Sequence, residues 1–296
     1  MSKLYYLILP NDKVLNVWEI DGLVARPLSA LRESIQLEPD EPLLDGLRRQ
    51  PKGSVWHLAE DVDVTPEECL RGFGEYYPRI YRPVFWHEED TTNLPPRDEQ
   101  VLASSLEQLA SLIEFLTRIF RVVFPTDDNL CTYGHEIRNL MLLACTEVEA
   151  QWKGILIENK ASPAGSHLTT NHYVKLLQPL KLADYQVTLL MYPQLSPIAP
   201  FAKWSSSKPS QSLHWYDAYN AVKHDREKQF HRATLQYAIE AVVACIVMLE
   251  AQYHPVPAWH GYLGQFFRFE KRPQWFDREK YLFPVREPWH PGQGIF

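Results

Sequence analysis

Between Trp215 and Ala233 the chain reads WYDAYNAVKHDREKQFHRA, a stretch rich in side chains that move protons and hold anions. Histidine exchanges a proton near neutral pH, because its unperturbed pKa is about 6.5. Lysine and arginine stabilise charge on phosphate oxygens, arginine through paired hydrogen bonds. On a helical wheel at about 100° per residue, Asn220, His224, Glu227 and His231 fall within about 60° of one another, with Lys223 and Tyr216 beside them. A solvated helix face is the simpler source of such a cluster, but that face usually draws on Glu and Lys, and Asn and His add little to helix stability.

The segment also stands out by charge. From Tyr219 to Arg232 there are four Lys/Arg against two acids. The chain carries a net charge of −7, and residues 1–98, with 18 acids and 11 bases, hold all of it. An acidic surface disfavours indiscriminate nucleic-acid binding, so contact with RNA or DNA needs a local basic patch.

Other chemistries find less support. The four cysteines (Cys69, Cys131, Cys145, Cys245) are scattered and form no C-x-x-C pair, which reads as small buried thiols in a reducing compartment. No H-x-x-x-H with a nearby acid lies in a helical run, and His167 and His172 fall in an expected loop, so no metal is expected. No Walker-A or G-x-G-x-x-G string is present, and no cofactor is expected. The apolar run in MSKLYYLILPNDK is too short for a signal peptide. The later run Ala241–Leu249 is about half a membrane span, so the expected setting is cytoplasmic, with no membrane partner.

These residues need elements to carry them. Lys3–Leu9 and Val14–Ile20 are rich in β-formers and flank a turn at Pro10–Lys13, which predicts a hairpin. Ser54–Leu58 and Ile80–Trp86 read as further strands. Thr65-Pro66-Glu67-Glu68 has the features of a helix start, and His87–Arg97 those of a linker. The aromatics Tyr76, Tyr77, Tyr81, Phe85 and Trp86 have the spacing of a core rather than of a recognition surface. From Glu99 to Val123 leucines and isoleucines recur every three or four residues, predicting a helix. A second helix is expected from about Tyr133 to Ile157, with Ile137, Leu140, Met141, Ala144, Val148 and Trp152 in one stripe. Residues 158–213 are mixed, with a loop after Trp204, and a third helix is expected from Trp215 to Tyr253. Glu136 and Glu147 lie about 20° apart on the second helix. Glu147 borders the apolar stripe and needs a partner, for which Arg226, Lys223 or a histidine of the third helix would serve; this predicts contact between the two helices.

The third-helix segment resembles the signature of the HEPN superfamily (higher eukaryotes and prokaryotes nucleotide-binding), whose motif is Arg, a polar residue, spacers and His. Tyr219-Asn220-Ala221-Val222-Lys223-His224 supplies the Asn and the His, with Tyr in the place of Arg. Arg226-Glu227-Lys228-Gln229-Phe230-His231 supplies Arg and His, with Glu in the polar slot. YNAVKHDR and the earlier YGHEIRNLMLLACTEVE also resemble a HEPN-like group of bacterial proteins, over roughly Gln100–Tyr253. HEPN domains that serve nucleotide transferases carry Tyr two residues after the motif His, where this chain has Arg226 or Ala233.

The resemblance implies a mainly α fold. The HEPN-like helical bundle (residues 99–253) is expected to follow residues 1–98, whose own strand signals read as an α+β N-terminal domain outside the resemblance. Residues 254–296, by their prolines and tryptophans, read as an irregular strap packed on the helices. The resemblance further implies a metal-independent endoribonuclease, a toxin or anti-phage effector, whose site forms where two copies pair through the helical domain. His224 would be the general acid/base, with Asn220 orienting it, Arg226 and Lys223 binding phosphate, and His231 the second candidate. Lys228 and Tyr219 would also touch RNA, with Glu147 and Glu136 in support. Residues 1–98 would sense a trigger or dock a protein partner. The alternative is a non-catalytic HEPN-like scaffold or sensor that binds a protein or nucleotide.

Overall fold

Alternation of large apolar residues along the first two strands gives the N-terminal sheet two buried faces. In the computed structural model, which describes residues 2–28, 33–85, 94–161, 167–285 and 288–296, β1 (Lys3–Ile8) pairs antiparallel with β2 (Val14–Asp21). The turn between them is closed by the Leu9 N–H donating to the Lys13 carbonyl at 2.8 Å. Asp12 takes the left-handed conformation that Asp tolerates better than most residues. With β3 (Val24–Pro27), β4 (Ile35–Gln36) and β5 (Thr65–Glu68) the order is β4-β3-β2-β1-β5. Leu7 and Trp18 pack with Leu43 and Leu47 of α1 (Leu43–Arg48), while Tyr6, Ile8 and Val17 pack with Phe85 and Leu282.

Two local expectations fail here. Thr65–Glu68 is not a helix start but an exposed edge strand whose backbone pairs with β1, and Pro66 is tolerated because edge positions need not donate on both sides. Ser54–Leu58 forms turns instead of a strand, closed by Ser54 N–H to Pro51 O and His57 N–H to Ser54 O. Trp86 and residues 87–93, most of the expected linker, lie outside the described residues. Tyr77 and Phe85 are buried, in keeping with a core reading of that aromatic run.

The chain divides into two compact units: Met1–Tyr76, Arg82–Pro95 and Gln274–His290 form one, and Tyr77–Tyr81, Pro96–Pro273 and Pro291–Phe296 the other. In the first unit, β6 (Glu75–Tyr76) and β7 (Val84–Phe85) follow the sheet.

The second unit is built on α2 (Glu99–Phe120), α3 (His135–Glu158), α5 (His214–His224) and α7 (Leu235–Tyr253). Asp98 caps α2, its side chain accepting from the N–H groups of Gln100 and Val101 at 3.0 Å each. α7 has 16 buried residues of 19 and packs against α2, α3 and α5, as a helix apolar on all sides must. It is long and apolar enough to cross a membrane, but 83% of that window is buried inside the protein. Gly154 in α3 leaves room for the Arg79 guanidinium, which donates to Gln252 Oε1 of α7 at 2.8 Å; a Cβ there would strike it. Between these helices lie the short α4 (Thr170–Tyr173), β8 (Gln186–Leu189) and α6 (Arg226–Gln229). His172, expected in a loop, caps α4 through Nδ1, which accepts from the Thr169 N–H at 3.2 Å.

The described residues are mixed α and β, 41% helix and 16% strand, which corrects the mainly α bundle with an irregular strap. The tail is the clearest case. β9 (Phe267–Lys271) pairs antiparallel with β8, β10 (Tyr281–Leu282) pairs parallel with β7, and His290, at the head of β11 (His290–Pro291), donates its N–H to the Gly74 carbonyl. Its prolines other than Pro291 fall outside these short strands, so they interrupt regular structure without preventing it. Cys145 and Cys245 are buried as expected, but Cys131 is exposed; all four cysteines are free.

Candidate functional site

The predicted third helix is three pieces. α5 ends at His224 because Asp225 leaves helical geometry (φ −139°, ψ 73°). Its carboxylate then caps α6, accepting from the Lys228 N–H at 3.2 Å. A 3₁₀ turn, Phe230–Arg232, follows, and α7 starts after Thr234, whose hydroxyl caps it. The wheel placing Asn220, His224, Glu227 and His231 on one helical face is therefore corrected: only Asn220 and His224, one turn apart on α5, share a helix.

Tertiary contacts hold this connection in place. Phe230 packs its ring on Tyr133 and His135, with centroids 5.9 and 4.9 Å apart, at the start of α3. Arg232 donates to Asp217 of α5 at 2.6 Å, and the N–H groups of Leu235 and Gln236 donate to Thr132 and Leu130. The segment from Lys223 to His231 runs between these anchors. Lys223, His224, Arg226, Lys228 and His231 are exposed and Asn220 is half-buried. None of these five cations and imidazoles enters an ion pair among the described residues, whereas Arg232 does.

Lys223 also faces inward. Its amino group donates to the Tyr219 hydroxyl at 2.8 Å and lies over that ring. The bond to Tyr219 pushes the lysine pKa up. Tyr219 is only 2% exposed, so its hydroxyl serves an internal network: it donates to Glu149 Oε2 at 3.2 Å, and Tyr216 donates to Glu149 Oε1. Burial and the Glu149 carboxylate raise the Tyr216 pKa well above that of free tyrosine.

Glu149 is the carboxylate that sequence reasoning missed. It borders the α3 stripe with Cys145 one turn before and Trp152 close to one turn after, a signal as strong as that of Glu147. Glu147 finds none of the partners expected for it: its Oε1 accepts from Gln151 at 2.8 Å, and Gln151 in turn accepts from Gln252 of α7 at 3.0 Å. Glu136 is exposed in the first turn of α3, where an acid complements the helix dipole. α3 does contact both α5 and α7. The arrangement is thus a stretch of exposed imidazoles and cations, of which Lys223 is tied to a buried tyrosine–carboxylate network.

No family model matches the chain, and no curated protein or solved structure matches it.

Proposed function

We propose that the protein is a HEPN-like endoribonuclease that cleaves RNA without a metal, acting as a homodimer through its helical unit in the cytoplasm as a toxin or anti-phage effector. The observation that carries this is the stretch Lys223–His231, where five cationic or imidazole side chains are exposed and none forms an ion pair among the described residues. In cleavage, the ribose 2′-oxygen attacks the adjacent phosphorus as its proton passes to one imidazole. The 5′-oxygen leaves with a proton from an acid, giving a 2′,3′-cyclic phosphate and a free 5′-hydroxyl. His224 is the general acid/base and Asn220, one turn earlier, would orient it once RNA is bound. Arg226, Lys223 and Lys228 hold the phosphate oxygens, and His231 is the second proton carrier. Four free thiols suit a reducing compartment. Residues 1–98 serve a trigger or protein partner.

A second reading, a non-catalytic scaffold that binds a protein or nucleotide, is favoured by one observation: Lys223 and Tyr219 are tied inward to Glu149. Incubation of purified protein with RNA in the presence of a chelator separates the two. Cleavage by wild type that is lost in His224→Ala and reduced in His231→Ala supports the nuclease. Equal behaviour of folded wild type and both variants supports the scaffold.

A further inference from the structure

A cleft of about 440 Å³ opens in the second unit between the start of α7, the first turn of α5 and the loop around residues 195–203. It is held open by backbone bonds: Ile198 exchanges both its N–H and C=O with Val187 of β8, and the Trp215 indole donates to the Pro200 carbonyl at 2.9 Å. Leu195, Ile198 and Ile239 give it apolar walls.

Its polar groups are unevenly placed. Glu240 is a half-buried acid of α7 whose hydrogen-bond partner among the described residues is Gln236, the amide donating to Oε1 at 2.9 Å. Burial pushes its pKa up, against the Gln236 bond and the charges of His214 and Lys203. Lys203, His214 and Asp127 also line the cleft but are exposed, and none makes an ion pair among the described residues. Glu240 is thus the least exposed charged group of the cleft, while Lys203, His214 and Asp127 are open to solvent.

This pattern selects a ligand. A simple cation would meet Lys203 and His214, and a simple anion would meet Glu240. The fitting molecule puts hydrogen-bond donors inside, a flat body against the aliphatic walls, and negative charge at the entrance. Guanine presents such an edge, since its N1–H and exocyclic amino group donate side by side to a carboxylate. A nucleoside monophosphate, with about two dozen non-hydrogen atoms, suits a pocket of this class of size. Adenine offers a lone pair at N1 where guanine donates, which would set that lone pair against one carboxylate oxygen and leave only the exocyclic amino group to donate. We propose that this cleft binds a guanosine nucleotide unit, its base edge on Glu240 and its phosphate at Lys203 and His214. The unit is either a free nucleotide or a guanosine within RNA, and the inference stands independently of cleavage.

Calorimetric titration of the full-length protein at neutral pH with GMP, AMP and guanosine tests it. GMP is expected to bind, with AMP weaker by about tenfold or more. Glu240→Gln should lose a similar factor for GMP at an unchanged melting temperature. Lys203→Ala, an exposed change, should weaken GMP but not guanosine. A short guanosine-ending RNA that displaces GMP at lower concentration than GMP itself assigns the site to RNA; the reverse order assigns it to free nucleotide. Absence of GMP binding, equal binding of AMP, or full GMP affinity in Glu240→Gln would overturn the assignment. RNA cleavage without GMP binding ends this inference and leaves the nuclease standing; GMP binding without cleavage does the opposite.

Discussion

His224 and Glu250 mark the two extremes of how a side chain is used here. His224 is exposed at the end of α5 and bonded to nothing among the described residues, so the fold does not depend on it. His224→Ala should lower RNA cleavage by about 10²–10⁴-fold, the range for loss of a general acid/base. The melting free energy should change by no more than about 0.5 kcal/mol, measured by denaturant titration of the same preparation. Glu250 is 1% exposed on α7 and accepts from His254 at 2.8 Å, Arg272 at 2.6 Å and Trp259 at 2.7 Å. Burial pushes its pKa up, but the bonds and charges of His254 and Arg272 prevail and hold it below the ordinary 4.5. A carboxyl whose native pKa lies below its unfolded one stabilises fully above the unfolded value, and loses that contribution as pH falls through the native value. Glu250→Gln should therefore cost about 1–3 kcal/mol at neutral pH. Urea titrations across the acid range should show the gap to wild type closing as the medium becomes more acidic than the usual carboxylate value.

Between residues and fold, the elements were legible wherever an apolar pattern runs on without interruption. The stripes of α2 and α3 and the β1–β2 hairpin could be read because their apolar periods are unbroken over many residues. The break between α5 and α7 could not. A wheel runs smoothly across Asp225, and what stops the helix is a cap, the Phe230 ring on α3 and the Arg232–Asp217 pair, two of them contacts with distant chain. Thr65–Glu68 shows the same limit, as local helix signals yield to backbone pairing with β1. At the candidate site, the exposed His, Arg and Lys were visible as residue types. Whether Glu147 or Glu149 would meet α5 was not, because both border one stripe and only the packing of neighbouring helices distinguishes them. If Phe230 staples the cationic segment, Phe230→Ala should speed hydrogen exchange from Arg226 to Thr234 while α7 stays protected, since local opening need not involve the core. Unchanged exchange in that segment would show that Arg232–Asp217 alone suffices.

For the whole molecule, the contrast is between a net charge of −7 and one locally basic stretch, Tyr219–Arg232, with four Lys/Arg against two acids. RNA affinity should then fall steeply with salt. On single strands the slope of log affinity against log salt should drop by about 0.7 for each phosphate-binding cation removed, as in Lys228→Gln. The proposed chemistry is that imidazoles on the stretch after α5 cut RNA through the ribose 2′-hydroxyl. It is tested most directly by the ends of the products formed in the presence of a chelator, from an RNA oligonucleotide and from its counterpart lacking the 2′-hydroxyl at the cleavage position. The account predicts 2′,3′-cyclic phosphate and 5′-hydroxyl ends from the first and no cleavage of the second. Cleavage of both, or 5′-phosphate products, would contradict it.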